Sequence, residues 1–273
     1  MISKIHVICN RHDESLISLY QESLFLGYPV VPHYHNKNHP SLDSLKTSVA
    51  KEDYLMLLHT HYGAEAIYDI IKDIDCKKIL NFSTLKNMSI GDKLFQQRSI
   101  KELNNSLHIE THTNLYDIDI TNFPLIAKPR YGSNGNGVVL LKNKEPVPTV
   151  TDNVNYIFQR YIKNDGDWRV VVVGGRAISG IKRLGRFGQV ANNIAKGSFA
   201  VVEKDDKVLD SIFNVAETAA RHFKFDYVGI DVIQDKETDN YYFLESNERA
   251  TFETSQLLTG TNIAQEIIKE LVK

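Results

Sequence analysis

The stretch from Val228 to Asn247 constrains this 273-residue chain more than any other. Two short apolar runs, Val228-Gly-Ile-Asp-Val-Ile233 and Tyr241-Tyr-Phe-Leu-Glu-Ser-Asn247, flank the turn-rich segment Gln234-Asp-Lys-Glu-Thr-Asp-Asn240. Runs of this kind joined by such a loop predict an antiparallel strand pair. A plain hairpin leaves Asp231, inside one run, and Glu245, near the end of the other, unexplained. Strands are depleted in acids, and a carboxylate on a buried face needs a partner. Side chains alternate along a strand, so Glu245 and Asn247 share a face. With Asp231 on that face too, three oxygen donors converge. A hard cation such as magnesium takes a few such donors, keeps several waters and binds phosphate oxygens in its remaining positions. The alternative is an ordinary hairpin whose acids face solvent or pair with Lys or Arg.

Composition narrows the class of molecule. A chain of this length holds two domains, or one with sub-lobes. With 42% hydrophobic and 24% charged residues it reads as an ordinary soluble globular protein. A formal net charge of −2 and the lack of a basic run leave no electrostatic footprint for nucleic acid. The Met-Ile-Ser-Lys start leads straight into a strand-like run, so no signal peptide is expected, and no apolar stretch has the length of a membrane span. Cys9 and Cys76 are widely spaced in apolar surroundings and read as reduced thiols of a cytoplasmic protein.

From the N-terminus, strand-like runs at residues 4–9, 29–34, 54–59 and 78–81 alternate with helical spacing around Leu16–Leu24 and Ile67–Ile74. That alternation predicts a small parallel α/β domain over about residues 1–85. Histidines gather there: His33, His35 and His39, then His59 and His61. The pairs 33/35 and 59/61 fall at the C-terminal ends of predicted strands, where open α/β sheets place ligands. Substrate contact, a zinc site and plain surface loops all remain open for them.

A helix is predicted from Ser89, carrying Asp92-Lys93-Leu94-Phe95. The strand Phe123–Lys128 then runs into Tyr131-Gly-Ser-Asn-Gly-Asn-Gly137 and a second strand, Val138–Leu141. Glycines at 132, 135 and 137 let backbone N–H groups approach a phosphate closely, although such a hairpin is often just a turn. The order is neither that of a P-loop nor that of a protein kinase. Lys128 beside the flap makes a natural phosphate clamp. Residues 143–153 read as a connector, Tyr156–Ile162 as a strand, and Trp168–Val173 with Arg176–Ile181 as a hairpin. Lys182, Arg183 and Arg186 cluster before a loop that runs to Gly197, either as a site or as a solvated basic loop. Helices at Leu209–Phe223 and after Asn262 complete the chain.

The order Asp-Lys, strand Lys, glycine flap, Gln-x-Tyr-Ile, Asp-x-Arg, basic loop with Asn, Gly-x-Asp, Glu-x-Asn resembles the ATP-grasp superfamily, and within it the RimK-like glutamate ligases. The resemblance covers nearly the whole chain, since Ile79-Leu-Asn-Phe-Ser83 running to Asp92-Lys93 is similar to the family's domain junction. It implies an α/β ATP-grasp fold with an N-terminal parallel α/β domain at 1–88, a central lobe with the flap at 89–157 and a C-terminal lobe at 158–273. It also implies ATP as co-substrate with magnesium or manganese. Lys93 and Lys128 would hold the phosphates beneath a flap of Gly132, Ser133, Asn134, Gly135 and Gly137. Gln159, Arg160, Tyr161 and Ile162 lie where the family binds adenine, and Asp167 matches its nucleotide-contacting acid. Arg169 and Arg183 would face the phosphates and the acyl group, Asn193 matches a site asparagine of the same loop and completes the catalytic set, and Asp231, Glu245 and Asn247 would hold the metal.

The implied activity is carboxylate–amine ligation through an acyl phosphate, on an amino acid or peptide, with no nucleic-acid or membrane partner. Another ATP-grasp chemistry, such as a carboxylase or acyl-CoA synthetase, and a non-catalytic nucleotide-binding module are the alternatives. The sequence departs from the pattern after Asn247: Glu248-Arg-Ala-Thr-Phe252 stands where Ala-Ser-Pro-Gly is usual. Arg249 in that segment is a candidate for a substrate carboxylate, with a salt bridge to Glu248 or Glu253 as the alternative.

Overall fold

The protein is described from a computed structural model covering residues 2–10, 12–35, 42–58, 64–132, 135–144, 155–185 and 199–273. The apolar run near the N-terminus forms β1 (Ile5–Cys9), all five residues buried. A strand covered on both faces must be apolar or have its polar groups paired, and here Ile5, Val7, Ile8 and Cys9 are apolar while His6 meets Asp53. It lies between β2 (Val30–Tyr34) and β3 (Tyr54–Leu57), with β4 (Lys78–Ile79) beyond, in a parallel sheet ordered β2-β1-β3-β4. Helix α1 (Glu14–Phe25) starts at Asp13, whose carboxylate accepts from Leu16 N, and ends before Gly27 at φ 87°. Helices α2 (Asp43–Ser48) and α3 (Ala64–Ile71) cover the opposite face, where Leu45, Ile67 and Ile71 meet Ile8, Leu55 and Leu57. A short α4 (Phe82–Leu85) leads out of this sheet.

Beyond it, α5 (Lys93–Leu103) precedes an antiparallel sheet of β5 (Thr111–His112), β6 (Leu125–Pro129), β7 (Val139–Leu141) and β8 (Tyr156–Arg160), ordered β5-β8-β6-β7. A third, five-stranded sheet contains β9 (Asp167–Val173), β10 (Arg176–Leu184), β11 (Phe199–Val202), β12 (Tyr227–Gln234) and β13 (Tyr241–Asn247), ordered β11-β10-β9-β12-β13. Its odd and even residues part company as the strand period requires. Val228, Ile230 and Val232 join Trp168, Val170 and Val172 under α6 (Asp206–Phe223), which presents Ile212, Ala216 and Phe223. The opposite face carries Asp231. Helices α7 (Glu253–Thr259) and α8 (Ile263–Val272) close the chain.

Packing joins elements far apart in sequence. Ile263, Ile267, Ile268 and Leu271 of α8 share a core cluster with Ile5, Val7, Leu16 and Leu19. Ile100 of α5 packs with Trp168 and Val170 of the third sheet. Two strand bounds need correction. The strand expected at Arg176–Ile181 runs on to Leu184 and takes in Lys182 and Arg183, and the strand expected from Trp168 opens one residue earlier, at Asp167. The reason is a mutual one: Arg183 and Asp167 are partners in strand register, so each charge makes the other's burial tolerable. The short α2, α7, β5 and edge strand β11 span too few residues to show a period of their own.

Candidate active site

The second and third sheets, with the flap between β6 and β7, form the two sides of an open cleft. Lys93, Lys128, Gly132, Gly135, Asp167 and Glu245 all line it. So do Gln159, Arg160, Tyr161 and Ile162 from β8 and the residues after it. Lys128 enters from the buried face of β6, and burial, partly opposed by Glu245, pulls its ammonium down to about 8. Lys93 Nζ donates to the Gly132 carbonyl at 2.7 Å and stands 3.5 Å from Glu245, so it bridges flap and third sheet. Gly132, Gly135 and Gly137 have φ of 126°, 62° and 73°, values that L side chains rarely adopt. At Gly137 a Cβ would also come within 2.8 Å of Pro129, so glycine is needed twice over.

A row of charges crosses the third sheet. Asp231 is the register partner of Arg169 on one side and of Glu245 on the other, so all three project from one face. Asp231 is 2% exposed. Arg169 Nε reaches its Oδ1 at 2.5 Å and Nη2 its Oδ2 at 3.1 Å, while Arg183 Nη2 reaches Oδ2 at 3.0 Å. Burial disfavours the Asp231 charge, but the two guanidinium groups outweigh it and hold the carboxylate below its usual range. Asp167 accepts from Arg183 Nε at 2.7 Å yet is pushed up to about 6 by burial, with Asp231 adding to the push. Gly229 makes this row possible, since a Cβ there would sit 3.0 Å from Arg169 Nη1 and 2.6 Å from Ala250 Cβ.

Asn247 lies opposite Gly229 in register and its Nδ2 is 3.4 Å from Asp231 Oδ2. Two carboxylates and a side-chain amide oxygen are the donor chemistry of a hard dication, so the set fits magnesium. Both Asp231 oxygens are engaged by arginine, which leaves Glu245 and the Asn247 oxygen as the donors not tied to a guanidinium. Between Asp231 and Val232 the register shifts, with Leu244 the extra residue on β13. Such irregularities re-aim a side chain next to a site.

The remaining sequence-predicted residues fall as follows. The Gln159 amide donates to Thr111 Oγ1 at 2.8 Å inside its sheet. Arg160 pairs with Asp235 at 3.0 Å and lies over the Tyr242 ring. Arg169 and Asn247 join the cleft through Asp231, whereas Arg249 pairs with Glu248 at 3.0 Å, as the alternative reading held. Ser133, Asn134, Arg186 and Asn193 lie outside the described residues, as do His39, His59 and His61. His33 Nε2 is 2.8 Å from Nδ1 of buried His6, whose Nε2 is 3.1 Å from Asp53. Among the described residues no group of three or more His, Cys, Asp and Glu side chains could hold a metal. Cys9 and Cys76 are free thiols, pushed up to about 12 and about 11 by burial.

At the apolar end of the cleft, where Ile109, Ile162 and Ile233 cluster with Leu244, sequence reasoning named Ile162 and missed the other three. It also missed the bracket at its charged end. Asp92 caps α5 through Leu94 N and holds both ends of the Arg130 fork, and Tyr131 OH is 3.4 Å away. An Asp directly before a helical run was the signal for that cap.

Residues 86–271 match the RimK-like ATP-grasp domain. A probable alpha-L-glutamate ligase of Parasynechococcus marenigrum (strain WH8102) is 30% identical over 155 residues, 54% of this chain and 32% of that one. The chain thus spans about a third of that relative's length, and about half that of others bearing the same name. Among solved structures, macrocyclase MdnC bound with precursor peptide MdnA from Microcystis aeruginosa MRC superposes with a TM-score of 0.69 at 16% identity, covering 98% of this chain and 99% of that one. D-alanine–D-alanine ligase from Bacillus anthracis gives 0.70 at 15% identity, over 99% and 96%. These likenesses identify the fold as that of the ATP-grasp ligases. With the matching domain spanning 86–271, the chain belongs to the RimK-like ATP-grasp family.

Proposed function

We propose that the protein is an ATP-dependent carboxylate–amine ligase that forms an amide bond on an amino-acid or peptide substrate. One observation carries the reading: a single cleft combines an apolar end, a glycine flap, two lysines and the Asp231–Glu245 pair. The apolar end suits a nucleobase, and Lys93 and Lys128 suit the phosphates beneath Gly132–Gly137. Magnesium, or manganese in its place, would be held by Glu245, Asn247 and Asp231 and would neutralise phosphate charge. Asn193 belongs to the same catalytic set, and the chain divides into domains at 1–88, 89–157 and 158–273.

A carboxylate is a poor electrophile because oxide is a poor leaving group. Transfer of the γ-phosphoryl group to a carboxylate oxygen yields an acyl phosphate and ADP. Attack by an amine expels phosphate and closes the amide. Phosphoryl transfer asks for positioning and charge neutralisation, which Lys93, Lys128 and the two arginines supply in a partly closed cleft. Asp231 holds Arg169 and Arg183 against one face, so their charge is aimed before substrate arrives. Flap closure keeps water from the acyl phosphate.

The end-to-end fold match with a macrocyclase seen with its precursor peptide supports including peptides beside free amino acids as acceptors. The test is ADP release over amino acids and short peptides, followed by mass spectrometry of the product. The expected result is ADP release only with a carboxylate and an amine both present, and a product lighter than their sum by one water. Nucleotide binding with no substrate-dependent ADP release would instead make the protein a non-catalytic nucleotide-binding module.

A further inference from the structure

Two glutamines on α5 have no part in the chemistry above, yet they are as buried as core leucines: Gln96 is 2% and Gln97 1% exposed. Burying an amide is costly unless its polar atoms are paired. Both side chains pair with the backbone of β13, the outer strand of the third sheet. Gln96 Nε2 donates to the Ser246 carbonyl at 3.3 Å and to that of Ile90 at 2.7 Å, while its Oε1 accepts from Ser246 N at 2.9 Å. Gln97 Nε2 donates to the Phe243 and Leu244 carbonyls at 2.9 and 3.1 Å, while its Oε1 accepts from Ile109 N at 2.9 Å. Phe243 N donates to the Leu107 carbonyl at 2.8 Å, so segment 107–109 runs beside β13. The Gln97 amide stands between Ile109 and Phe243 as a peptide group would, linking the N–H of one to the C=O of the other.

What these bonds hold is the wall of the cleft. Ile109 and Leu244 line its apolar end, and Ser246 is the residue between Glu245 and Asn247. β13 is an edge strand with a register shift at this very place. An irregular edge strand has no outer neighbour to hold its backbone in one register. The α5 amides, together with the Leu107 carbonyl, supply that neighbour.

We propose that Gln97 and Gln96 are positioning residues with separable effects. Gln97 sets the Ile109–Leu244 wall against which the nucleotide base rests. Gln96 sets the Ser246 backbone from which Glu245 and Asn247 project. What the cleft receives rests on the ligase reading; that the two amides hold its wall does not.

The test uses the full chain with Gln97→Met, Gln96→Met and Gln97→Glu, read by amide hydrogen exchange without nucleotide and by calorimetric binding of ADP, with and without magnesium. Gln97→Met should speed exchange at Ile109 at least tenfold and weaken metal-free ADP binding roughly tenfold. The Ser246 amide should be unaffected. Gln96→Met should do the reverse: faster exchange at Ser246, unchanged metal-free ADP binding, and roughly a tenfold higher magnesium concentration for the metal-dependent gain in affinity. Gln97→Glu keeps the acceptor for Ile109 N but loses the donor to β13. It should preserve Ile109 protection and still weaken ADP binding, and it stands in if Gln97→Met fails to fold. If both methionine variants shift both binding measurements together, the glutamines are merely structural and the proposal falls. It falls equally if exchange at Ile109 and Ser246 does not change. Wild-type chain that binds no ADP overturns the ligase reading and the two binding consequences, while hydrogen exchange alone then judges the clamp.

Discussion

Lys128 and Lys142 show how burial separates a clamp from a surface charge. Lys128 is buried behind the flap on β6, whereas Lys142, just past β7, is exposed. Lys128→Ala should weaken ATP binding and slow ADP release by at least tenfold, as loss of a charge-assisted phosphate contact predicts (about 1.5–3 kcal/mol). Lys142→Ala should leave both within about twofold. Equal losses at the two positions would mean that diffuse surface charge binds the nucleotide. Glu245→Gln keeps size and hydrogen bonding but removes a charge beside Lys93. Its expected signature is near-native melting with ADP release lost; turnover close to wild type under saturating magnesium would remove Glu245 from the metal assignment. At Arg249 the guanidinium is already paired with Glu248. Arg249→Ala should therefore cost about 0.5 kcal/mol of stability and leave the KM for the carboxylate substrate unchanged. A KM raised tenfold with unaltered melting would show that substrate displaces Glu248 from the arginine.

At the scale of elements, β1, β2 and the turn before β3 are joined by a buried chain from Asp53 through His6 to His33. Asp53 also accepts from the backbone N–H groups of Lys4 at 2.7 Å and Ala50 at 2.9 Å. Burial lowers both imidazoles, His33 to about 4, against 6.5 in a free chain. As pH falls through 6.5 the unfolded chain takes up these protons and the folded one does not. Their contribution to stability is thus complete above about 6.5 and lost between 6.5 and about 4. Asp53, held low by its backbone N–H bonds and His6 in spite of burial, adds a further loss below its model-peptide value of 3.8. The melting temperature should fall across this window, and His33→Gln should flatten the fall. Parallel pH profiles for the two proteins would show that another group governs the acid limb.

At the scale of the whole molecule, the cleft draws one wall from the second sheet and the other from the third. A ligand seated there bonds to the folded state only. ADP with magnesium at a hundred times its Kd should add about 2.7 kcal/mol. For a chain of this size that is a rise in melting temperature of roughly 5–10 °C, growing with the logarithm of ligand concentration. A melting curve insensitive to adenine nucleotides would count against the cleft as a nucleotide site. The α8 contact with β1 has a related consequence, because the last helix is part of the first sheet's core. The chain's two ends are therefore held in one cluster.

The order of the longer strands and helices, the parallel first sheet and the shared face of Glu245 and Asn247 could all be read from the sequence, whereas the register that brings Asp231 to that face could not. Each follows from a local period: alternation along a strand, three-to-four spacing along a helix, glycine where backbone must turn. What a residue meets across the fold leaves no such trace. Arg183 reads as one cation of a small basic cluster, and only the register of β9, β10 and β12 puts it between Asp167 and Asp231. His6 sits within an apolar run without a motif, yet it joins His33 to Asp53. Gln97 falls between Leu94 and Ile100 at helical spacing, a polar residue on a buried stripe. Even that oddity cannot tell which strand its amide will bind. Periodicity reports which face is buried because burial acts on each residue separately. The partner of a buried charge or amide depends on how distant elements dock, and that is decided only when the sheets and α5 come together.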